Sequence, residues 1–230
     1  MNELKNANSE SVALLGCGRG LGAAVVAGWP DSLKSVKAVL SSKKIERLRD
    51  VVEEHKIAAE IFAHDYSKTE QVALLFEQLE KYNPQRIFYF AGGGPYGEYG
   101  KFEWKDHLWA LQVSFLTPAM LVHWALIHYS TNTPQIIFIG SAVAEGKPDP
   151  FAASYSAAKH ALVGLVSSVQ IEYPAFDLRL FSPSYMNTDL LPANCGPRRN
   201  AVKLLNPEEV AKDFWNWALS DDHQGHLSYL

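Results

Sequence analysis

The 230-residue sequence has few cysteines, little net charge and no long unbroken apolar run. Its two cysteines, Cys17 and Cys195, do not suggest a disulfide framework. A formal net charge of −4 argues against a broad surface for nucleic acid. No apolar run approaches the roughly 20 residues that a membrane-spanning helix needs, and the polar segment 1–10 lacks the apolar stretch of a secretion signal. We therefore expect a cytoplasmic protein that binds neither nucleic acid nor a membrane.

Metal binding is not expected either, because the eight histidines show no ligand spacing. Apolar residues make up 47% of the chain and charged residues 20%, which is ordinary for a globular protein. The length is enough for one large domain with a full core. No linker, repeat or low-complexity segment divides residues 1–230, so we predict a single domain.

Short apolar runs alternate with amphipathic segments along most of the chain. The apolar runs predict seven strands, at 12–15, 36–40, 61–64, 86–91, 135–139, 177–181 and 226–230. Helices are predicted at 23–29, 45–55, 68–81, 102–129 with a kink at Pro118, 154–173, and from Pro207 onward. This alternation predicts an α/β fold, a doubly wound, mainly parallel, Rossmann-like sheet of seven strands with helices on both faces.

Glycines follow two of the predicted strands. Between the first strand and the first helix stand Gly16, Gly18, Gly20 and Gly22. A bare backbone and the free N–H groups of a helix start there suit a phosphate group. Residues 92–94, all glycine, follow the fourth strand and suggest that a flat ligand passes close to the backbone. The alternatives are a tight turn without a ligand at the first place and a flexible loop at the second.

Two lysines follow the second strand, where the adenosine ribose of a bound dinucleotide would lie. An acidic residue at this place suits a free 2′-hydroxyl group, whereas a basic residue suits a 2′-phosphate. Lys43 and Lys44 stand there, with no Asp or Glu between Leu40 and Ile45. The sequence therefore favours NADP over NAD, although two lysines also suit a solvated helix start.

Tyr155 and Lys159 lie four residues apart in a predicted helix, so their side chains share one face. A free phenol ionises near pH ~10, and a neighbouring ammonium favours the phenolate and lowers that pKa. A phenol tuned in this way can pass a proton to a carbonyl oxygen whose carbon receives a hydride. The alternative is a tyrosine and a lysine that merely flank a helix surface.

In this setting the chain resembles the short-chain dehydrogenase/reductase family over nearly its whole length. Arg19 and Lys43 stand where NADP-using members often carry basic residues. The other matching positions are Gly16, Gly20 and Gly22 of T-G-x-x-x-G-x-G, Asp65 before the third helix, Ala91 and Gly92 at the end of N-N-A-G, Ser141, Tyr155 and Lys159 of Y-x-x-x-K, and residues 183–188 as P-G-x-V-x-T.

The resemblance implies a role for each position. Ser141 would hydrogen-bond the substrate oxygen, and Tyr155 would act as general acid in reduction or base in oxidation. Lys159 would hold the nicotinamide ribose and lower the pKa of the tyrosine. Asp65 would contact the adenine. The residues expected to bind NADP (NADPH) are Gly16, Gly18, Arg19, Gly20, Leu21, Gly22, Ser42, Lys43, Asp65, Tyr66, Ala91, Gly92, Gly93, Tyr155, Lys159, Pro183, Ser184, Met186 and Thr188.

Three departures from the family pattern stand out. Leu15 replaces the motif threonine, so the hydroxyl that braces the glycine turn is missing. Tyr89 and Phe90 replace the two asparagines before Ala91. Ser114 stands where the family has an active-site asparagine that holds a proton-relaying water, and we count it among the catalytic residues; Gln112 is a second candidate for that role.

Two functions are consistent with this pattern. The first is an NADPH-dependent reductase of a ketone or aldehyde, or the reverse alcohol oxidation. The second, favoured by the three departures, is a sensor or scaffold protein that binds NADP(H) without turnover. In either case the partner is a small molecule, and the substrate would meet an apolar and aromatic wall. This wall is predicted from Pro95, Tyr96, Tyr99, Phe151, Tyr185, Met186 and Leu190.

Two larger features remain as expectations. The segment 188–206 is long and irregular, which suggests a lid that becomes ordered when a ligand binds. The predicted helices around 108–129 and 154–173 are apolar enough to pair across a two-fold axis, as they commonly do in the family. We expect a homodimer or homotetramer.

Overall fold

The computed structural model describes residues 10–129, 133–146, 149–221 and 225–229. The predicted segment 1–10, apart from its last residue, and the last residue of the seventh predicted strand lie outside these ranges. The described part of the chain forms one seven-stranded sheet with the order β3-β2-β1-β4-β5-β6-β7. Its strands are β1 (Ser11–Leu15), β2 (Lys37–Ser42), β3 (Ala59–Ala63), β4 (Arg86–Tyr89), β5 (Gln135–Ile139), β6 (Leu178–Pro183) and β7 (His226–Tyr229).

Every pairing between neighbouring strands of this sheet is parallel. The predicted fold class is therefore confirmed. The chain winds outward from β1 through β2 to β3, and then returns to place β4 on the other side of β1. The strand order reverses between β1 and β4, and ligands of such sheets bind at the carboxyl ends of the strands beside that point.

Helices cover both faces of the sheet. They are α1 (Gly20–Ala27), α2 (Glu46–Glu54), α3 (Thr69–Tyr82), α4 (Trp104–Leu111), α5 (Thr117–His128), α6 (Ala153–Glu172), α7 (Gly196–Arg199) and α8 (Pro207–Ala218). Alternate residues of β1 point to opposite faces, as the two-residue period of a strand requires. Val12 and Leu14 pack with α1 and α8, whereas Ala13 and Leu15 pack in the second core with α3, α5 and α6.

The predicted helix 102–129 is divided in the structure. A π-helical segment, Gln112–Leu116, joins α4 to α5, and Pro118 lies in the first turn of α5. The irregular turn therefore precedes Pro118 instead of lying at it. Proline has no backbone N–H, so the carbonyl group one turn earlier loses its helical hydrogen bond, and the irregularity falls in that preceding turn. π turns inside helices are frequent at functional sites.

The sequence analysis found no apolar run near membrane-spanning length, and the continuous helical stretch Trp104–His128 corrects that statement. It is 25 residues long and, by length and composition alone, apolar enough to cross a membrane. In the structure, Leu121, Val122 and Ala125 are buried in the core between this stretch and the sheet. A core helix with one buried face accounts for the same composition.

Candidate active site

The glycine-rich turn connects β1 to α1 at the centre of the sheet. Gly16 has φ +78°, and a Cβ built on it would stand 2.5 Å from the Ala91 nitrogen. A Cβ on Gly18 would collide with Ser42 Oγ, and Gly20 has φ +56° where α1 begins. Side chains are therefore excluded where the turn packs against the ends of β2 and β4. The helix α1 starts at Gly20, three residues before the predicted start.

Tyr155 and Lys159 project from one face of α6 into the same cleft as the glycine turn. Lys159 is 3% exposed, and its Nζ donates a 2.6 Å hydrogen bond to the Ile139 carbonyl oxygen at the end of β5. The Lys159 Nζ lies 5.5 Å from the centre of the Tyr155 ring. Ser141 lines the cleft beside them. The helical spacing brings Tyr155 and Lys159 together as predicted, and the turn after β5 adds Ser141 to the same cleft.

Burial decides the ionisation of this pair. It raises the pKa of Tyr155 above the usual value, and a hydrogen bond from Ser141 offsets only part of that rise. Burial also lowers the pKa of Lys159 to about 7. The expectation that the ammonium lowers the tyrosine pKa does not hold in this structure, because both groups lose hydration and the charged form of each is disfavoured.

The cleft has a volume of about 720 Å³ and runs along the carboxyl ends of the central strands. Every residue predicted to bind the cofactor lines it. Ser114 does not line it, and neither do Tyr99 and Phe151 of the predicted substrate wall. Tyr99 stacks on His107, and Phe151 is 45% exposed. Lys44, the second lysine expected at the ribose end, lines the cleft too, whereas the sequence analysis missed the lining residues Arg47, Trp109, Val143 and Asp149.

Some of the missed residues had a signal in the sequence. Arg47 stands in the first turn of α2, four residues after Lys43, so it belongs to the same short basic stretch of sequence. Trp109 belongs to a helix whose apolar residues were assigned to the core or to a partner. Asp149 had no signal, because a single aspartate in an irregular loop matches no motif.

At the basic end of the cleft, Lys43 is not free for a ribose phosphate as the sequence analysis expected, because it is paired with Asp65. Lys43 Nζ lies 2.7 Å from Asp65 Oδ2, so the lysine assigned to the ribose is paired with the aspartate assigned to adenine. Burial alone would raise the pKa of Asp65, but hydrogen bonds from Lys43 and Ser67 outweigh it and hold the pKa below its usual value. Arg19 and Arg47 line the same end of the cleft.

The predicted lid segment is tied down at several points. Leu205 forms backbone hydrogen bonds with Tyr185 and Asn187. The Arg198 side chain donates hydrogen bonds to the carbonyl oxygens of Leu191 and Thr188. The short helix α7 lies inside this segment. The segment 188–206 is therefore more structured than the sequence indicated.

A family model described as short chain dehydrogenase matches residues 10–195. The chain belongs to the short-chain dehydrogenases. A search of curated proteins finds no significant match to this short-chain dehydrogenase.

Solved structures with the same fold cover nearly the whole chain. A 3-ketoacyl-(acyl-carrier-protein) reductase from Brucella melitensis, complexed with NADH, is 19% identical, with a TM-score of 0.80 over 97% of each chain. An alcohol dehydrogenase from the archaeon Thermococcus sibiricus, complexed with 5-hydroxy-NADP, is 20% identical, with a TM-score of 0.77 over 96% of this chain and 94% of that one. A bulky-bulky ketone specific alcohol dehydrogenase from Comamonas testosteroni is 16% identical, with a TM-score of 0.79 over 96% and 86%.

This short-chain dehydrogenase replaces the missing threonine hydroxyl with one from elsewhere. The Gly16 N–H donates to Tyr66 Oη at 3.1 Å, and Tyr66 Oη donates to Ser41 Oγ at 2.7 Å. Tyr66 is 4% exposed, and burial raises the pKa of its hydroxyl, so it stays a donor at neutral pH. The Gly16 N–H also donates to the Ser41 carbonyl oxygen at 2.7 Å, so Tyr66, fifty positions along the chain, adds a second acceptor that braces the turn in place of the missing hydroxyl.

The second departure is also compensated. Tyr89 Oη donates to the Val113 carbonyl oxygen at 2.8 Å, which ties the end of β4 to the π-helical segment. The Phe90 ring packs on Phe214 with ring centres 5.3 Å apart. Packing and one tyrosine hydroxyl therefore hold the strand end in place of the two asparagines.

Ser114 of this short-chain dehydrogenase is fully buried behind the cleft wall. Its Oγ accepts from the Gly93 N–H and donates to the Gly93 carbonyl oxygen, both at 3.1 Å. A Cβ on Gly92 would lie 3.6 Å from this Oγ and 3.4 Å from Lys159 Nζ, so serine and lysine flank one backbone position. Gln112, the other candidate, donates instead to Thr117 Oγ1 at 3.2 Å. The relay role of Ser114 stays a prediction, whereas its contacts position the loop.

Proposed function

We propose that this short-chain dehydrogenase is an NADPH-dependent reductase of a ketone or aldehyde, which also catalyses the reverse oxidation of the alcohol by NADP. The observation that carries the proposal is the position of Ser141, Tyr155 and Lys159 in one cleft with the glycine-rich turn. A phosphate site and a proton donor in a shared cleft are what hydride transfer to a carbonyl requires.

The residues present fit a nicotinamide dinucleotide. The glycine turn before α1 lines the cleft with its backbone, and a Cβ at Gly16 or Gly18 would collide with Ala91 or Ser42 and force that backbone to move. The N-terminus of α1 opens into the cleft and favours an anion. Lys159 and residues 183–188 would face the nicotinamide end. The cofactor, when bound, supplies the hydride.

The chain itself supplies orientation and the proton. Ser141 would hold the substrate oxygen by a hydrogen bond, and the Tyr155 hydroxyl would pass its proton to that oxygen as the carbon becomes tetrahedral. The raised pKa of Tyr155 keeps the phenol protonated at neutral pH, which suits reduction. Oxidation needs the phenolate and should therefore require a higher pH.

The preference for NADPH is supported by the charge at the ribose end of the cleft. Four basic side chains line that end, Arg19, Lys43, Lys44 and Arg47, against the acidic Asp65 and Glu46. Some solved relatives are complexed with NADP compounds and another with NADH. Equilibrium binding of NADPH and NADH should therefore be compared directly; equal affinity for the two would contradict the preference.

Turnover gives the decisive test. Purified protein should oxidise NADPH in the presence of some member of a panel of ketones and aldehydes. Tyr155→Phe should remove nearly all of this activity, whereas Tyr82→Phe, outside the cleft, should keep it. A Tyr155→Phe variant with the parent rate would show that the assigned proton donor is wrong.

The second candidate is a protein that binds NADP(H) without turnover. It is favoured by Leu15, Tyr89, Phe90 and Ser114, and by the low acidity of a tyrosine with a raised pKa. It predicts tight binding of NADPH and no hydride transfer in either direction across the same panel. One reproducible substrate that is lost in Tyr155→Phe would exclude it.

We also propose that the protein forms a homodimer or homotetramer through α4, α5 and α6. Large apolar side chains on these helices face outward, among them Trp104 at 63% exposure, Ile127 at 70% and Ile171 at 83%. An exposed apolar surface of this kind often marks an interface. Sedimentation at micromolar concentration should give an assembly, and Ile127→Asp should weaken it. A parent protein that sediments as a monomer would contradict this proposal.

A further inference from the structure

Three polar side chains converge on one side of the cleft, beyond the serine and tyrosine of the proposed reaction. Tyr96 lies on the loop after β4, Asp149 on the loop after β5, and Tyr185 on the loop after β6. All three line the cleft. Because the three strands are neighbours in the sheet, their loops meet at the same edge.

Backbone contacts hold these loops together. The Gly97 N–H donates to the Phe151 carbonyl oxygen at 2.8 Å, which links the loop of Tyr96 to the loop of Asp149. Phe151 has φ +70°, a left-handed backbone conformation that is strained for a residue with a side chain. Strained backbone of this kind clusters at functional sites.

Asp149 is fixed relative to the proposed proton donor. Its carbonyl oxygen accepts from the Ala152 N–H at 3.3 Å, directly before α6, and Tyr155 stands in the first turn of α6. On the other side, the Gly196 N–H donates to Tyr96 Oη at 2.9 Å. A Cβ on Gly196 would lie 3.8 Å from Tyr96 Oη and 4.0 Å from Asp149 Oδ1. The hydroxyl and the carboxylate therefore face a common position.

The Asp149 carboxylate has capacity for a further partner. Burial raises its pKa, and the hydrogen bond from Tyr185 only partly opposes this rise. A carboxylate accepts about four hydrogen bonds. Within the described ranges, no Lys, Arg or His nitrogen comes within 4.0 Å of it. A partly buried anion of this kind favours a cationic hydrogen-bond donor.

We propose that Asp149, supported by Tyr96 and Tyr185, binds a protonated amine of the substrate, so that the enzyme prefers carbonyl compounds that carry an ammonium group. This inference rests on the proposed reductase function. The same cleft is also lined by the apolar side chains of Trp109, Val143 and Leu190. The favoured class is therefore an amine-bearing ketone with an apolar or aromatic spacer. Substrates with a carboxylate or phosphate at this end are disfavoured by like charge.

The selectivity can be measured with three aryl methyl ketones of similar size that differ in one para substituent: aminomethyl, hydroxymethyl or ethyl. With NADPH, we expect kcat/KM for the aminomethyl ketone to exceed that for the ethyl ketone by about tenfold or more, the value of one charge-assisted hydrogen bond. Asp149→Asn should reduce this ratio to near one. Asp189→Asn, which removes an exposed carboxylate at the same cleft, should preserve it.

Each other outcome overturns the inference. A parent enzyme without a preference for the aminomethyl ketone contradicts it. An equal preference for the hydroxymethyl ketone would mean that a neutral donor is recognised instead of a charge. A ratio that falls equally in Asp189→Asn would mean that general electrostatic attraction, not Asp149, sets it.

Failure of the reductase proposal would be visible separately. If no ketone is reduced, benzylamine binding to the protein–NADPH complex is measured by calorimetry. We then expect Asp149→Asn to weaken benzylamine binding by about tenfold or more, with the NADPH affinity of the variant as a check that the cleft is intact. Unchanged benzylamine binding in that variant overturns the inference.

Discussion

Lys159→Met should make the protein more stable at neutral pH while it removes catalysis. The Lys159 side chain is 3% exposed, and its ammonium has one hydrogen bond, to the Ile139 carbonyl oxygen. Burial lowers the pKa of Lys159 from 10.5 to about 7. Because each unit of pKa corresponds to about 1.4 kcal/mol, holding the ammonium in the fold costs at most about 5 kcal/mol at low pH.

Methionine has a similar length and no charge, so it removes this cost. It also leaves the Ile139 carbonyl oxygen without its donor, which costs about 1–3 kcal/mol. The expected net gain in the free energy of unfolding is about 2–4 kcal/mol near pH 6.5.

The gain should depend on pH in a definite direction. Since the folded-state pKa is below the unfolded one, the unfolded chain binds more protons between pH 7 and 10.5, and the stability of the parent rises with pH across that range. The variant lacks this group, so its advantage should be largest below pH 7 and shrink towards pH 10.

Urea denaturation of the parent and the variant at pH 6.5 and pH 9.5, without cofactor, measures both quantities. Lys212→Met replaces an exposed lysine of α8 and should change the free energy of unfolding by only about 0.5 kcal/mol. The reasoning is refuted if Lys159→Met is less stable than the parent at pH 6.5, or if its gain is equal at the two pH values.

Three other experiments, two substitutions and one proteolysis, test the cofactor end of the cleft and the segment 188–206. Tyr66→Phe removes the hydroxyl that receives the Gly16 N–H, and NADPH titration should show about tenfold weaker binding; an equal loss of affinity in Tyr89→Phe would contradict a specific role. Gly18→Ala forces a Cβ against Ser42 Oγ, so NADPH binding should be lost and thermal stability lowered; a variant with the parent's affinity and melting temperature would refute the packing account. Trypsin should cut the segment 188–206 equally slowly with and without NADPH, because the hydrogen bonds that hold this segment form without a ligand. Protection that appears only with NADPH would contradict this account and support a lid that becomes ordered on binding.

Much of the fold could be predicted because its signals are local. Apolar runs of strand length, the glycine turn and the helical period each lie within a few residues, and together they determine the order of elements. The positions of Ser141, Tyr155 and Lys159 follow from the same reasoning, since the carboxyl ends of parallel strands share one edge.

The remainder depends on contacts between distant parts of the chain. Tyr66 reaches Gly16, and Gly196 reaches Tyr96, across separations that no spacing rule covers. The pKa of Lys159 is set by the loss of water around it, whereas its spacing from Tyr155 reveals only that the two are neighbours. Desolvation becomes visible only once the packing is known.

The π-helical segment Gln112–Leu116 has a consequence for how this chain tolerates insertions and deletions. A π turn is an α-helix that carries one extra residue. Because the wide turn absorbs this residue, deleting it would restore regular winding and leave Leu121 and Ala125 facing the sheet. The wide turn also carries Ser114 and the Val113 carbonyl oxygen to their contacts with Gly93 and Tyr89, and the deletion should break these contacts. A shorter helix at this turn should therefore loosen the loop after β4 while the core stays packed.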